Sequence, residues 1–219
     1  MHKLKWVIPD VLAGGEHPLL NEDFNLIDKP DWYTKNGIES VISVFEMPIS
    51  ANIIKIMPWK YTFQPTNDGM PPQNLEKLCK VIANSNGTFV HCFAGTGRTA
   101  TVLAAYLIFG GYADTAREAI DKLRRSYDAG AVHTPEQYME LLNFSQESID
   151  KDEIDYNISE LFKKERNYYS GKDKYEKLLG LVKHEMALLK QKFGIHSPEY
   201  QHSRATHKKI ERMLNLLKH

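Results

Sequence analysis

Apolar positions along the chain follow two patterns, short runs bounded by glycine or proline and longer stretches with an apolar stripe every three to four residues. Trp6-Val7-Ile8 reads as a strand stopped by Pro9, and 10–18 as a glycine-rich turn. The later part of 26–36 reads as a helix capped by Gly37, and the β-branched run 38–44 as a central strand. Residues 53–63 predict another strand, with Trp59, Tyr61 and Phe63 on one face. A loop, 64–72, carries prolines and a glycine, and a helix is expected from Pro72-Gln73 onward, with Cys79 on its apolar side. The run 87–92 ends a buried strand, and 98–109 is helix-like in length and composition.

Further on, 112–127 predicts a helix with Ala113, Ala116, Ile120 and Leu123 on its apolar stripe. Arg117, Lys122, Arg124 and Arg125 are left to solvent, the last two within reach of an anionic substrate at a pocket rim. Thr134, Pro135 and Gln137 have the grammar of a helix start, as N-cap, N1 and N3 of a capping box, with the helix running through Phe144. From about Ser148 the texture changes. Three amphipathic helices are expected, one carrying Ile154, Ile158, Leu161 and Phe162, one over 175–193 and one over 198–217. The chain thus divides into 1–147 and a helical extension, 148–219. The extension must pack as a bundle, lie across the first domain or bind a protein partner, because three apolar stripes do not stay bare in water.

Composition narrows the class without changing this layout. Hydrophobic residues make up 42% of the chain and charge is balanced, no run reaches a membrane span, and the N-terminus lacks the apolar core of a signal peptide. The expectation is a cytoplasmic protein with no membrane partner. Cys79 and Cys92 are the two cysteines, which fits a reducing compartment and excludes a disulfide scaffold. Residues 1–149 carry 13 Lys and Arg against 17 Asp and Glu, and the remainder 15 against 11. Neither part has the basic footprint of a nucleic-acid binder, and the opposite signs suit docking of the tail on its own domain or on an acidic partner. The histidines at 184, 196, 202 and 207 have no carboxylate or thiol at metal-ligand spacing, so no metal is expected.

The stretch that carries chemistry is 90–101, VHCFAGTGRTAT. A buried strand ends at a cysteine, meets a loop with glycines at 95 and 97, and continues into a helix at about Arg98. Loop amides, the unpaired N–H groups of the helix start and the planar fork of Arg98 make a nest for an anion, with Cys92 at its lip, where a thiolate is stabilised. The rival phosphate loop, GxxxxGK[ST], occurs nowhere in the chain.

His91, Cys92, Gly95, Gly97, Arg98 and Thr99 together resemble the phosphate-binding signature of the cysteine-dependent protein tyrosine and dual-specificity phosphatase superfamily, and WVIPDVLAGGEHP resembles the opening of its small archaeal and atypical dual-specificity members. The likeness covers roughly residues 4–146. It implies an α/β fold with a mixed, largely parallel sheet of four or five strands flanked by helices, the cysteine loop lying beyond the C-terminal end of a central strand. It also implies roles. Cys92 is the nucleophile that forms a cysteinyl-phosphate, and Phe93, Ala94, Gly95, Thr96, Gly97 and Arg98 hold the phosphoryl oxygens. Asp68, 24 residues before Cys92 in the loop 64–72, is the general acid and then base. Thr99 hydrogen-bonds the sulfur, His91 orders the loop, and Gln137 either caps its helix or orients water. No metal or cofactor is required.

Two departures are visible. Ala100 stands where many members have glycine, and the loop is uncharged at Phe93, Ala94 and Thr96, where relatives that act on phosphoinositides often carry lysines. The substrate implied is a phosphorylated protein. The alternatives are an inositol phosphate, a nucleotide or RNA 5′-phosphate, a phosphosugar, or mere phospho-binding by a pseudophosphatase that recruits partners through the tail.

Overall fold

A computed structural model of the chain describes residues 4–18, 31–147 and 151–162, with isolated positions beyond them. Within these residues, β1 (Lys5–Ile8), β2 (Leu12–Gly15), β3 (Ser40–Ser43), β4 (Lys60–Phe63) and β5 (Thr88–His91) form one sheet in the order β1-β2-β5-β3-β4. β1 is antiparallel to β2, and the other pairings are parallel. This is the mixed, largely parallel sheet the sequence implies. β5 is central, with Val90 opposite Gly14 on one side and Ile42 on the other.

Alternation along the strands divides the core in two. Leu12, Ile42 and Val90 face a layer made by α3 (Leu75–Ala83), α4 (Arg98–Phe109), α5 (Ala116–Ser126) and α6 (Pro135–Ser145). Ala13, Val41 and Phe89 face the other side, where Tyr33 of α1 (Asp31–Lys35), Ile53 of α2 (Ala51–Lys55) and Trp59 close a second cluster. Every residue of α4 from Arg98 to Leu107 is buried, as expected of a helix that is apolar all round and sits at the middle of its layer.

Four local expectations are corrected. The segment 10–18 is not only a turn, since Leu12–Gly15 is a fully buried strand. Its small residues are required by packing: a Cβ on Gly14 would stand 2.8 Å from Leu103 Cδ1 and 2.9 Å from Tyr127 Oη. Residues 53–63 are not one strand, because Ala51–Lys55 forms a short helix and pairing begins only at Lys60. The helix expected over 112–127 starts at Ala116, where the Thr115 hydroxyl accepts from Glu118 N–H. The helix after the 64–72 loop likewise begins at Leu75.

The first helix of the extension is present as α7 (Lys151–Phe162), with Asn157 and Leu161 buried and Ile154, Ile158 and Phe162 against the α4 side of the core. It packs on the helical layer that covers the sheet. Lys183 and Lys190, and Gln201, Arg204, His207, Lys208 and Glu211, are helical positions within the second and third predicted helices, which otherwise fall outside the described residues. Among the described residues no helix is long and apolar enough to cross a membrane.

Candidate active site

The site forms where β5 ends and α4 begins. Cys92 follows the last strand residue, 93–97 make the loop, and Arg98 is the first residue of α4. The loop carbonyls are held from outside. Phe93 O accepts from His17 N at 2.8 Å, Gly95 O from Tyr127 Oη at 2.8 Å, Thr96 O from Val132 N at 3.1 Å, and Gly97 O from Thr101 N at 2.9 Å. No peptide bond among the described residues is cis, so a carbonyl turned out leaves the next amide turned in. The N–H groups of Ala94, Thr96, Gly97 and Arg98 are therefore turned to the inside of the loop, an arrangement that can receive an anion.

Two glycines permit this path. Gly95 has φ +81°, and a Cβ there would lie 2.6 Å from the Gly15 carbonyl carbon at the end of β2. At Gly97 a Cβ would meet the His133 ring at 2.0 Å, so that ring rests directly on the loop.

Arg98 is buried and tightly held. Nη1 donates to Glu46 Oε2 at 2.8 Å and to Thr66 O at 2.9 Å, Nη2 lies 3.2 Å from Asp68 Oδ1, and the guanidinium carbon stands 5.3 Å from the Phe45 ring centre. Burial works against the cation, but the Cys92 sulfur, Glu46 and Asp68 outweigh it and hold the guanidinium above the usual arginine value. The structure thus brings Cys92, the loop, Arg98 and Asp68 together. Glu46 was not among the residues singled out from sequence, and neither was Tyr127; each reaches the site from a distant part of the chain.

His91 is fully buried. Its Nδ1 donates to Cys92 O at 3.2 Å, and its ring meets that of His17 edge-on with centroids 4.9 Å apart. Burial, helped by the Arg98 charge and opposed by the bond to Cys92 O, pushes its pKa down to about 4. A ring so buried is neutral near pH 7 and lies against the start of the loop through its contact with Cys92 O. Thr99 is buried behind Arg98, and its hydroxyl has no hydrogen-bond partner, so the bond expected to the Cys92 sulfur is not made.

The loop of Asp68 is tied to the start of α6. Thr134 Oγ1 donates to Gly69 O at 2.7 Å while accepting from Gln137 N at 3.2 Å. Gln137 Oε1 accepts from His133 N at 3.1 Å, so its carbonyl end serves as a helix cap. His133 lies between the two loops. Burial lowers its basicity, Asp68 raises it and Arg98 lowers it. Arg124 is not left to solvent as expected; it binds three main-chain carbonyls.

A strand, a carbonyl-out loop and a helix led by a buried arginine thus meet at the C-terminal edge of the sheet. The chain belongs to the family PTP-SAK, the Swiss Army Knife protein, DSP-PTPase phosphatase domain, whose pattern matches residues 1–153. This membership supports phosphatase activity in general. Cyclin-dependent kinase inhibitor 3 of Rattus norvegicus is 34% identical over 70 residues, 32% of this chain and 33% of that one, so the likeness spans about a third of the curated relative. Among solved structures, Tk-PTP in its active form shares 24% identity over 67% of this chain and 97% of that one, with a TM-score of 0.52. Kinase associated phosphatase, with its catalytic-site cysteine replaced by serine, shares 20% over 66% and 94%, with a TM-score of 0.55. Both likenesses are of fold.

Proposed function

We propose that the chain is a cysteine-dependent phosphomonoester hydrolase of the dual-specificity type, acting on a phosphoprotein through a cysteinyl-phosphate at Cys92. The observation that carries this reading is the 3.2 Å contact of Arg98 Nη2 with Asp68 Oδ1 above a loop whose amides point inward beside Cys92. In the first step Cys92 Sγ attacks phosphorus in line, the S–P bond forms, the P–O ester bond breaks, and the Asp68 proton goes to the departing oxygen. Amides of the loop 93–97 and Arg98 hold the three equatorial oxygens, which concentrates charge stabilisation where the transition state carries it. In the second step water gives its proton to Asp68 and attacks phosphorus, and the sulfur leaves as thiolate. Neither metal nor cofactor enters these steps.

The uncharged side chains of Phe93, Ala94 and Thr96 favour a single phosphoryl group over a highly phosphorylated inositol. Likeness to a cyclin-dependent kinase inhibitor supports a protein substrate, and the two-cysteine composition supports a reducing, cytoplasmic setting. Hydrolysis of an aryl phosphate by the wild type but not by Cys92→Ser tests the activity. A panel of phosphotyrosine and phosphoserine peptides, inositol phosphates and 5′-phosphorylated RNA then tests the substrate class, and preference for the last two would replace the protein reading.

A further inference from the structure

Arg124 stands on α5, and its guanidinium grips two separate segments of main chain. Nε donates to Ala131 O at 3.0 Å and Nη2 to Val132 O at 2.9 Å, both in the turn before α6. Nη1 donates to Leu161 O at 2.8 Å, in the last turn of α7, and the Phe162 ring centre lies 5.9 Å from the guanidinium carbon. The turn on the first side leads straight to the phosphate loop: Val132 N–H donates to Thr96 O at 3.1 Å, and the His133 ring rests on Gly97.

Val132 makes this connection sensitive. It is fully buried and has φ +58°, a left-handed conformation that a β-branched residue adopts only where its surroundings fix it from several sides. Its amide is held by Thr96 and its carbonyl by Arg124. A guanidinium reaches three carbonyls at once because its donors form a rigid planar fork, whereas an ammonium is a point charge on a flexible stem.

We infer that Arg124 is a positioning residue through which α7 of the C-terminal extension sets the phosphate loop. The path runs from the end of α7 to Arg124, to Val132, to the Thr96 carbonyl. Without the Arg124 bond, Val132 relaxes out of the left-handed region and its N–H swings off Thr96 O. The peptide plane between Thr96 and Gly97 then loses its outward anchor, and the Gly97 amide no longer aims into the nest. Docking of the extension thereby tunes anion affinity from outside the site. The inference rests on reading 92–98 as the phosphate receptor.

Arg117 supplies a control on the same helix. It also ties α5 to α7, through Asn157 Oδ1 at 3.1 Å, while its Nε donates to Asp121 on its own helix at 3.0 Å. The experiment uses the full chain as wild type, Arg124→Lys, Phe162→Ser and Arg117→Met. It measures inorganic phosphate affinity by calorimetry, kcat and KM on para-nitrophenyl phosphate, and the thermal midpoint. Arg124→Lys is expected to weaken phosphate binding about tenfold and to lower kcat/KM roughly 10- to 100-fold, as small displacements of a catalytic frame do. Phe162→Ser is expected to move both in the same direction by less, and Arg117→Met to keep both within about twofold whatever its midpoint.

Wild-type values for folded Arg124→Lys, or an equal loss in Arg117→Met, overturn the inference. If Arg124→Lys does not fold, Phe162→Ser against Arg117→Met decides by the same criterion. A wild type that binds phosphate without cleaving the aryl ester refutes the hydrolase while the phosphate affinities still decide the Arg124 path. A wild type that binds no phosphate overturns both.

Discussion

Arg98 Nη2 stands 3.2 Å from Asp68 Oδ1, so the cation assigned to the phosphoryl oxygens and the carboxyl assigned to the leaving group sit within one hydrogen bond of each other. A carboxyl at that place reaches the ester oxygen of a phosphate held by the arginine fork. Its contribution must then grow with the basicity of the leaving group. Asp68→Asn is expected to lower kcat roughly 100- to 1000-fold on an alkyl or phenyl phosphate and far less on an activated aryl phosphate. Steady-state rates across a series of leaving groups check this, and equal losses across the series would remove Asp68 from the role of acid.

Glu46 holds the other end of the same arginine, at 2.8 Å from Nη1. Glu46→Ala releases a largely buried guanidinium from one of its acceptors and lets the fork rotate away from the loop. We expect kcat/KM to fall about 10- to 100-fold and unfolding free energy to fall by about 1.5–3 kcal/mol, the usual worth of a hydrogen bond to a charged group. Denaturant titration beside kinetics separates the two effects, since a loss of stability with unchanged kcat/KM would make Glu46 structural only.

His91 gives the fold a pH dependence of defined sign. Its pKa is pushed down to about 4 in the folded chain, and that of His17 is also well below the ordinary value, in both cases chiefly by burial. Between that folded value and the ordinary 6.5, the unfolded chain binds more protons, so stability rises with pH through this window and is lost as pH falls through it. His91 alone contributes on the order of 3 kcal/mol over the window. Urea unfolding from pH 7 down to pH 4 measures it, and replacement of His91 by Gln should flatten the slope.

Gly14 couples the sheet to the site. A methyl group there would press on Leu103 and on the Tyr127 hydroxyl, which itself holds the Gly95 carbonyl. Gly14→Ala is expected to destabilise the fold by about 1–3 kcal/mol through overpacking and to weaken phosphate binding as Tyr127 is displaced. Loss of stability with unchanged phosphate affinity would show that Tyr127 does not support the loop.

The same glycine shows why part of the molecule was hidden in the sequence. Leu12–Gly15 has none of the β-branched residues that announce a strand, and at Gly14 contacts with Leu103 of α4 and with Tyr127 leave no room for one, so the local pattern reads as a turn. The signature loop, the start of α4 at Arg98 and the Thr134 cap were legible, since each is fixed by neighbours within a few residues. Glu46 was not legible, because it lies 52 residues from Arg98 and only the pairing of β3 with β5 brings the two together. The Arg124 path was hidden for a similar reason. An arginine on the polar side of a helical pattern reads as solvated until the distant carbonyl of Leu161 is seen to meet it.

The covalent step at Cys92 decides the mechanism. Turnover of an aryl phosphate by the wild type, quenched in acid within the first catalytic cycles and analysed by peptide mass spectrometry, should place a phosphoryl group on the peptide that carries Cys92 and none on the peptide that carries Cys79. The adduct should be absent in Cys92→Ser, which should also have no turnover. Undiminished hydrolysis by Cys92→Ser, or a phosphoryl group on any other residue during wild-type turnover, would contradict the mechanism.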